Sequence, residues 1–160
     1  MVDVTLSRHL HAVGQRAIAQ AMARRAGTVE AEHALLAILD RAESPAAKAL
    51  AAAGLDYSEF EAALAAERTR SLAAAGIAPI SPAELAATPR TGKPGWGASV
   101  RDLLRRADKP AAKDDRPGAL EIELATAILR AHLGTVPRAL SIAKIDRNSL
   151  IGKLGSVSKT

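Results

Sequence analysis

Residue types that carry out enzymatic or metal chemistry are few in this sequence, and their spacing is unfavourable. Cysteine is absent, which excludes thiol nucleophiles, thiolate metal ligands and disulfides. His9 and His11 are two residues apart and so lie on different faces of a helix, while His132 is isolated. No GxSxG elbow and no GxxxxGKS/T nucleotide-binding loop occurs. The sequence therefore predicts neither an enzyme nor a metal or cofactor site.

Glu32 and His33 are adjacent polar residues in the otherwise apolar segment AEHALLAIL. A glutamate in the first turn of a helix, here together with Glu30, favours the positive end of the helix dipole. His33 is expected to be half-buried or on the helix surface. The position of these residues at the start of a helix is therefore enough to explain why a glutamate and a histidine occur there.

The composition favours helices over sheets. Hydrophobic residues make up 48% of the 160 residues but aromatic residues only 2%, so a core must be built from Ala, Leu, Ile and Val. No apolar run approaches the roughly 20 residues of a membrane span, and the N-terminus lacks the layout of a signal peptide. We therefore expect a cytoplasmic protein without a membrane partner. The net charge of +5 permits an anionic partner.

Helix start and stop signals predict four helices in the first half of the chain. Asp56 is an N-cap, and the neighbouring Leu55 forms a hydrophobic staple with Phe60. Leu35 and Leu39 belong to the buried stripe of the second helix. The predicted helices run from Ser7 to Arg25 with Gly27 as terminator, from Thr28 as N-cap to about Ala42, from Pro45 to Ala53, and from Tyr57 onwards.

The second half of the chain repeats this pattern at an offset of 90 residues. Ile38 and Leu39 recur as Ile128 and Leu129, and the capping Asp56 recurs as Asp146. We interpret this offset as an internal duplication. The predicted segments are repeat 1 at 6–68, a linker at 69–95 with a turn at 82–87, repeat 2 at 96–154 and a flexible tail at 155–160. Within repeat 2, Pro110 should end the first helix early, with an exposed loop at 109–118 and helices at 120–131, 135–143 and 146–154.

The segments AEHALLAIL and SPAAKALAAAGLD resemble the Clp N-terminal repeat, the double α-helical module at the front of Clp-family unfoldases of the ClpC, ClpA and ClpB kind. The resemblance covers about residues 6–64 and, in a degenerate form, 96–154. It implies an all-α, pseudo-twofold bundle of eight helices, four in each repeat. It also implies a non-enzymatic protein-binding module that recognises substrates, adaptors, phosphoarginine or cyclic-peptide antibiotics in connection with a Clp unfoldase or protease. Without a nucleotide-binding loop the module would be free-standing and act as an adaptor, a regulator or a ligand-sequestering decoy.

The resemblance also implies candidate ligand-binding residues. Glu32 falls on the glutamate that contributes to a phosphoarginine site in ClpC-like domains. A carboxylate suits a guanidinium because it can accept paired, charge-assisted hydrogen bonds. The equivalent position in repeat 2 is Ile122, flanked by Glu121 and Glu123, and these two acids are the candidates there if the helix start shifts by a residue.

Leu6 and Trp96 occupy equivalent positions at the starts of the two repeats. The family often has an aromatic residue at the start of its second repeat. An apolar pair at these positions is expected to line a groove between the repeats, which would be a peptide-binding surface. Without the resemblance, Trp96 is more simply interpreted as an anchor in the core or the linker.

A basic helical regulator that binds nucleic acid, with helix-turn-helix character, is the alternative function. A pI near 10.0 and short helices joined by tight turns are compatible with it. However, 22 basic residues are mixed with 17 acidic ones, and Arg24–Arg25 and Arg105–Arg106 are predicted to lie on solvated helix faces. Nucleic acid is therefore the less favoured partner, and a steep salt dependence of binding would identify it.

Overall fold

The computed structural model describes residues 8–78, 81, 83, 92–111, 113, 114, 116 and 118–159. Helices account for most of this part of the chain and confirm the predicted all-α fold with four helices in each half. The elements are α1 (Arg8–Ala23), β1 (Thr28–Val29), α2 (Ala31–Leu39), α3 (Pro45–Ala52), α4 (Tyr57–Ala74), β2 (Gly95–Trp96), α5 (Ala98–Ala111), α6 (Ala119–Arg130), α7 (Thr135–Ile142) and α8 (Arg147–Ser158). None of the helices described here is long and apolar enough to cross a membrane.

The two halves have the same helix order and nearly the same spacing. Three helices of the second half begin 90 residues after their counterparts, namely α5 after α1, α7 after α3 and α8 after α4. A short parallel pairing of β1 with β2 joins the halves, with Thr28 opposite Gly95 and Val29 opposite Trp96. Helices also pack across the halves, because α4 contacts α7 and α3 contacts α8. Each half therefore completes the packing of the other.

Among the described residues, one apolar cluster from both halves forms the core. Leu35 and Leu39 are buried as predicted, with exposed fractions of 0% and 3%. Phe60 is fully buried, and so is Leu55, as the predicted hydrophobic staple requires. Because most of the remaining core side chains are small or aliphatic, stability depends on many close contacts rather than on a few large aromatic ones.

The predicted aspartate caps are formed in both halves. Asp56 accepts a hydrogen bond from the Glu59 amide at 2.8 Å, which confirms the start of α4. Asp146 accepts one from the Asn148 amide at 3.0 Å and another from the Ser149 hydroxyl at 2.7 Å. These hydrogen bonds lower the pKa of Asp146, with the Ser149 hydroxyl as the largest cause, and they outweigh a smaller opposing effect of desolvation.

The start of α2 differs from the prediction. The sequence predicts Thr28 as the N-cap, but Thr28 and Val29 form β1, and Glu30 is the residue that precedes the helix at Ala31. The backbone of β1 pairs with β2 more than 60 residues away. Local capping signals do not encode such a long-range pairing, which explains the error.

The end of α1 also differs from the prediction. The helix stops at Ala23, and the residue in the left-handed conformation is Arg25 (φ 54°) rather than Gly27. The Ala26 amide donates to the Ala21 carbonyl at 2.9 Å, so the helix end is closed before the chain reaches the glycine. Ser7, the predicted N-cap of this helix, lies outside the described residues.

Three further helices are longer than predicted. α4 continues to Ala74, six residues into the segment predicted as a linker. Pro110 lies inside the last turn of α5, and the helix ends one residue later at Ala111, as the missing N–H group and the proline ring favour. α8 continues to Ser158, so residues 155–158 of the predicted tail are helical. The turn predicted at 82–87 lies outside the described residues except for residue 83.

Candidate functional site

Glu32 lies in the first turn of α2 and is half-buried. Burial raises the pKa of its carboxyl group, because desolvation disfavours the charged form. A backbone hydrogen bond lowers this pKa to a smaller extent, the charges of Glu30 and Glu67 raise it, and the charge of Arg138 lowers it. The ionised carboxylate is therefore poorly stabilised by its surroundings, and a cation placed beside it would compensate.

Glu67 is a buried carboxylate on α4 that faces the same region. Its side chain is 7% exposed, and its Oε1 atom accepts hydrogen bonds from Arg138 Nε on α7 at 2.9 Å and from Ser71 Oγ at 2.7 Å. We refer to Glu30, Glu32, Glu67 and Arg138 as the Glu32 cluster. With three carboxylates and one guanidinium, this cluster has an excess of negative charge.

Sequence analysis misses both Glu67 and Arg138. A signal for Glu67 exists, because it continues the spacing of Phe60 and Ala63 on the buried face of α4, where a carboxylate needs a partner. The partner is 71 residues further along the chain. Only the packing of α4 against α7 identifies Arg138.

Glu30 connects the cluster to the second half. Its Oε2 atom accepts a hydrogen bond from Ser99 Oγ at the start of α5, at 3.0 Å. The same carboxylate lies directly against Gly97, where any side chain would collide with it. Gly97 therefore provides the space that the Glu30 side chain occupies.

Aliphatic residues occupy the equivalent positions in the second half. Ile122 lies 90 residues after Glu32, and Val157 lies 90 residues after Glu67. Ile122 is 8% exposed and lines a small depression together with Val157. Ile128 and Leu129 are buried, as are the residues 90 positions earlier in α2, so the 90-residue offset also holds within α6. In the described part of the second half, aliphatic side chains thus stand where the first half has two carboxylates.

Glu121 and Glu123 face different surroundings on α6. Glu121 is 4% exposed, and its Oε1 atom accepts hydrogen bonds from Arg16 Nη2 and Arg41 Nη1, both at 2.8 Å. Glu123 is half-buried and lines the depression beside Val157. The structure therefore does not bring these two acids together with each other or with the Glu32 cluster.

Trp96 is half-buried in β2, with its ring packed over Gly14 of α1. A Cβ atom at Gly14 would lie 3.4 Å from the Trp96 ring, so the helix and the ring approach closely here. The Trp96 carbonyl accepts a hydrogen bond from Arg101 Nη2 at 3.1 Å. Leu6 lies outside the described residues, and the groove expected between Leu6 and Trp96 stays a prediction.

His33 is buried, with an exposed fraction of 4%, so the expectation of a half-buried or surface side chain is wrong. Its Nδ1 atom accepts a hydrogen bond from the Glu30 amide at 2.9 Å, which holds the ring against the helix start. Desolvation, with a smaller effect of the Arg24 charge, lowers the pKa of His33 to about 4. The ring is therefore neutral at pH 7.

The arginine pairs singled out in the sequence are largely matched by acids. Arg105 and Arg106 are exposed, as predicted, and both form ion pairs with Asp102. Arg24 is half-buried rather than solvated and pairs with Glu61 at 2.7 Å. These side chains are engaged with carboxylates of their own helix or of a neighbouring helix.

Comparison with known proteins identifies the family. The model of the Clp repeat (R) N-terminal domain matches residues 5–93, which is more than half of the chain. The match includes Glu32 and Glu67 and ends before α5. No match was found among curated proteins. The all-helical fold agrees with the match, and the chain belongs to the Clp repeat N-terminal domain family.

Proposed function

We propose that the chain is a non-enzymatic protein-interaction module of the Clp system that recognises phosphoarginine on substrates or adaptors. Membership of the family supports the general role as an interaction domain. The finer role rests on one observation, the half-buried carboxylate of Glu32, whose pKa is raised by burial and which forms no ion pair with another described residue.

The Glu32 cluster is complementary to both ends of a phosphoarginine side chain. The guanidinium group would donate to Glu32, where the excess of carboxylates favours a cation. Arg138 donates its Nε hydrogen to Glu67, and its side chain is 58% exposed. Its outer nitrogens are therefore accessible to the phosphoryl oxygens. A single side chain would thus bridge the negative and the positive part of the cluster.

Calorimetric titration with phosphoarginine tests this proposal. We expect saturable binding to the wild type and at least tenfold weaker binding to Glu32→Gln, because an amide cannot replace the charge-assisted acceptor. Glu43→Gln is the matched control, since the Glu43 side chain is 93% exposed and lies outside the cluster. Absence of binding by the wild type, or equal binding by Glu32→Gln, would refute the role of Glu32.

The partner in this proposal is a cytoplasmic Clp unfoldase or its protease complex. A degradation assay with an arginine-phosphorylated substrate distinguishes the possible roles. An adaptor would accelerate degradation, whereas a decoy would slow it in proportion to the amount of module added. The Glu32→Gln variant should lose either effect. If it retains the effect in full, the module acts through a surface other than the Glu32 cluster.

Cyclic-peptide antibiotics are the second ligand class in this proposal, and their site would be the groove near Trp96. Trp96 is the only tryptophan of the chain, so its intrinsic fluorescence reports on this region alone. Because its ring is half-buried, a bound peptide should change the emission intensity or wavelength. If calorimetry shows binding of a peptide but the Trp96 fluorescence does not change, the binding site lies elsewhere.

A further inference from the structure

A cavity separate from the Glu32 cluster lies between α1 and the segment that leads into α6. Its volume is about 520 Å³, which lies within the usual range of ligand pockets. Its lining combines apolar side chains of α1 and α6 with charged groups of both signs. The charged residues are Arg16, Arg41, Asp108, Asp114, Arg116 and Glu121.

Glu121 organises the wall of this cavity. Its side chain is 5% exposed, and one oxygen, Oε1, receives hydrogen bonds from both Arg16 and Arg41. Arg16 is on α1 and Arg41 follows α2, so three segments of the chain meet at one carboxylate oxygen. The two guanidinium groups are therefore held side by side, and both line the cavity.

Two buried polar atoms at this point have no hydrogen-bond partner among the described residues. They are the acceptor Glu121 Oε2 and the donor Arg16 Nε. Buried polar atoms are normally paired, because leaving one unpaired costs free energy. Both atoms are shielded from solvent in this arrangement, so a ligand that carries an acceptor and a donor next to each other supplies the missing partners as the Arg16 and Glu121 side chains shift toward the cavity.

We propose that this cavity binds a carboxylate group of a partner polypeptide together with a neighbouring backbone N–H. Arg16 and Arg41 donate to the carboxylate, and Glu121 Oε2 accepts the N–H. Among the described residues, the charged lining contains three guanidinium groups and three carboxylates, and this balance disfavours a doubly charged phosphate more than a singly charged carboxylate. A peptide C-terminus and an aspartate or glutamate side chain share this chemistry. The proposal does not depend on phosphoarginine recognition.

Solution NMR of the uniformly ¹⁵N-labelled chain provides the test, because the Arg16 Nε–H group has its own signal. The probes are acetyl-trialanine with a free carboxyl terminus, the same peptide as its C-terminal amide, and an amidated peptide with a central aspartate. We expect the first peptide to shift the Arg16 Nε–H signal in a saturable way, with at least tenfold weaker binding of the fully amidated one. Tighter binding of the aspartate peptide would identify a side-chain carboxylate as the ligand, and tighter binding of the free C-terminus would identify a chain end.

Arg41→Gln is the decisive variant, since Arg41 is 53% exposed and Arg16 continues to neutralise Glu121. We expect Arg41→Gln to bind the peptide with the free carboxyl terminus about tenfold more weakly than the wild type does, without loss of the helical circular dichroism signal. Arg105→Gln is the matched control, because Arg105 is exposed on α5 and its ion-pair partner is Asp102, outside the cavity. The proposal is overturned if the amidated peptide binds equally well, if Arg41→Gln binds like the wild type, or if no peptide shifts the Arg16 signal.

Discussion

His33 makes a quantitative prediction about how stability depends on pH. The side chain is 4% exposed and has a pKa of about 4, compared with an ordinary value of 6.5. Between these two values the unfolded chain binds a proton that the folded chain does not, so stability falls as the pH falls. The full difference corresponds to about 3 kcal/mol, of which about 2 kcal/mol is lost at pH 5 relative to pH 7.5.

Urea unfolding followed by circular dichroism at pH 5.0 and 7.5 measures this effect. The comparison is with His33→Gln, because a glutamine can still accept a hydrogen bond from the Glu30 amide but does not titrate. Glu32 contributes with the opposite sign, since its raised pKa makes stability fall as the pH rises, but this contribution is common to both proteins. The wild type should therefore lose about 2 kcal/mol more than His33→Gln between the two pH values.

Equal losses in the two proteins would refute the reasoning. That result would mean that His33 is protonated in the folded state near its ordinary pKa and that its burial does not disfavour the charge. His11→Gln serves as the control, because it removes a histidine that is exposed on α1 and leaves His33 in place. A histidine-specific NMR titration gives the folded-state pKa of His33 directly.

Three further predictions concern packing and caps. Leu35→Ala should lower the free energy of unfolding by about 2–5 kcal/mol because Leu35 is fully buried, and a thermal melt like that of the wild type would contradict its burial. Asp56→Ala should cost about 1 kcal/mol through loss of the hydrogen bond to the Glu59 amide, measured by urea unfolding with Asp56→Asn as the cap-preserving control. Gly97→Ala should displace the flexible end of the Glu30 side chain at a small cost, about 1 kcal/mol through the disturbed hydrogen bond to Ser99, and combining it with Glu30→Ala should remove most of that effect.

The fold could be predicted from the sequence because its start signals are local. Asp56 and Asp146 each begin a helix through hydrogen bonds to amides within three residues. The 90-residue offset is also visible in the apolar core positions, because both halves need apolar residues there to form the same fold. Errors arose at Thr28, whose backbone pairs with a distant strand, and at residues 109–111, which are helical because α5 ends only after Pro110 rather than before it.

The candidate site could be predicted only in part. Glu32 was identified through the family resemblance, but Glu67 and Arg138 were missed because their contact depends on how α4 packs against α7. The pairing of Glu121 with Arg16 and Arg41 was missed for the same reason, since the partners are 105 and 80 residues away. Residue spacing along one helix indicates which side chains share a face. It does not indicate which groups of another helix they meet.

The packing of α4 on α7 and of α3 on α8 has a consequence for which sequence differences the two halves can tolerate. Because each half contributes to a common core, a side chain in one half can change its chemistry while the other half continues to hold the backbone in place. Ile122 and Val157 illustrate this point, because they are aliphatic residues at the positions equivalent to Glu32 and Glu67. The second half thus keeps the helix arrangement of the first while it presents a different set of side chains at these positions.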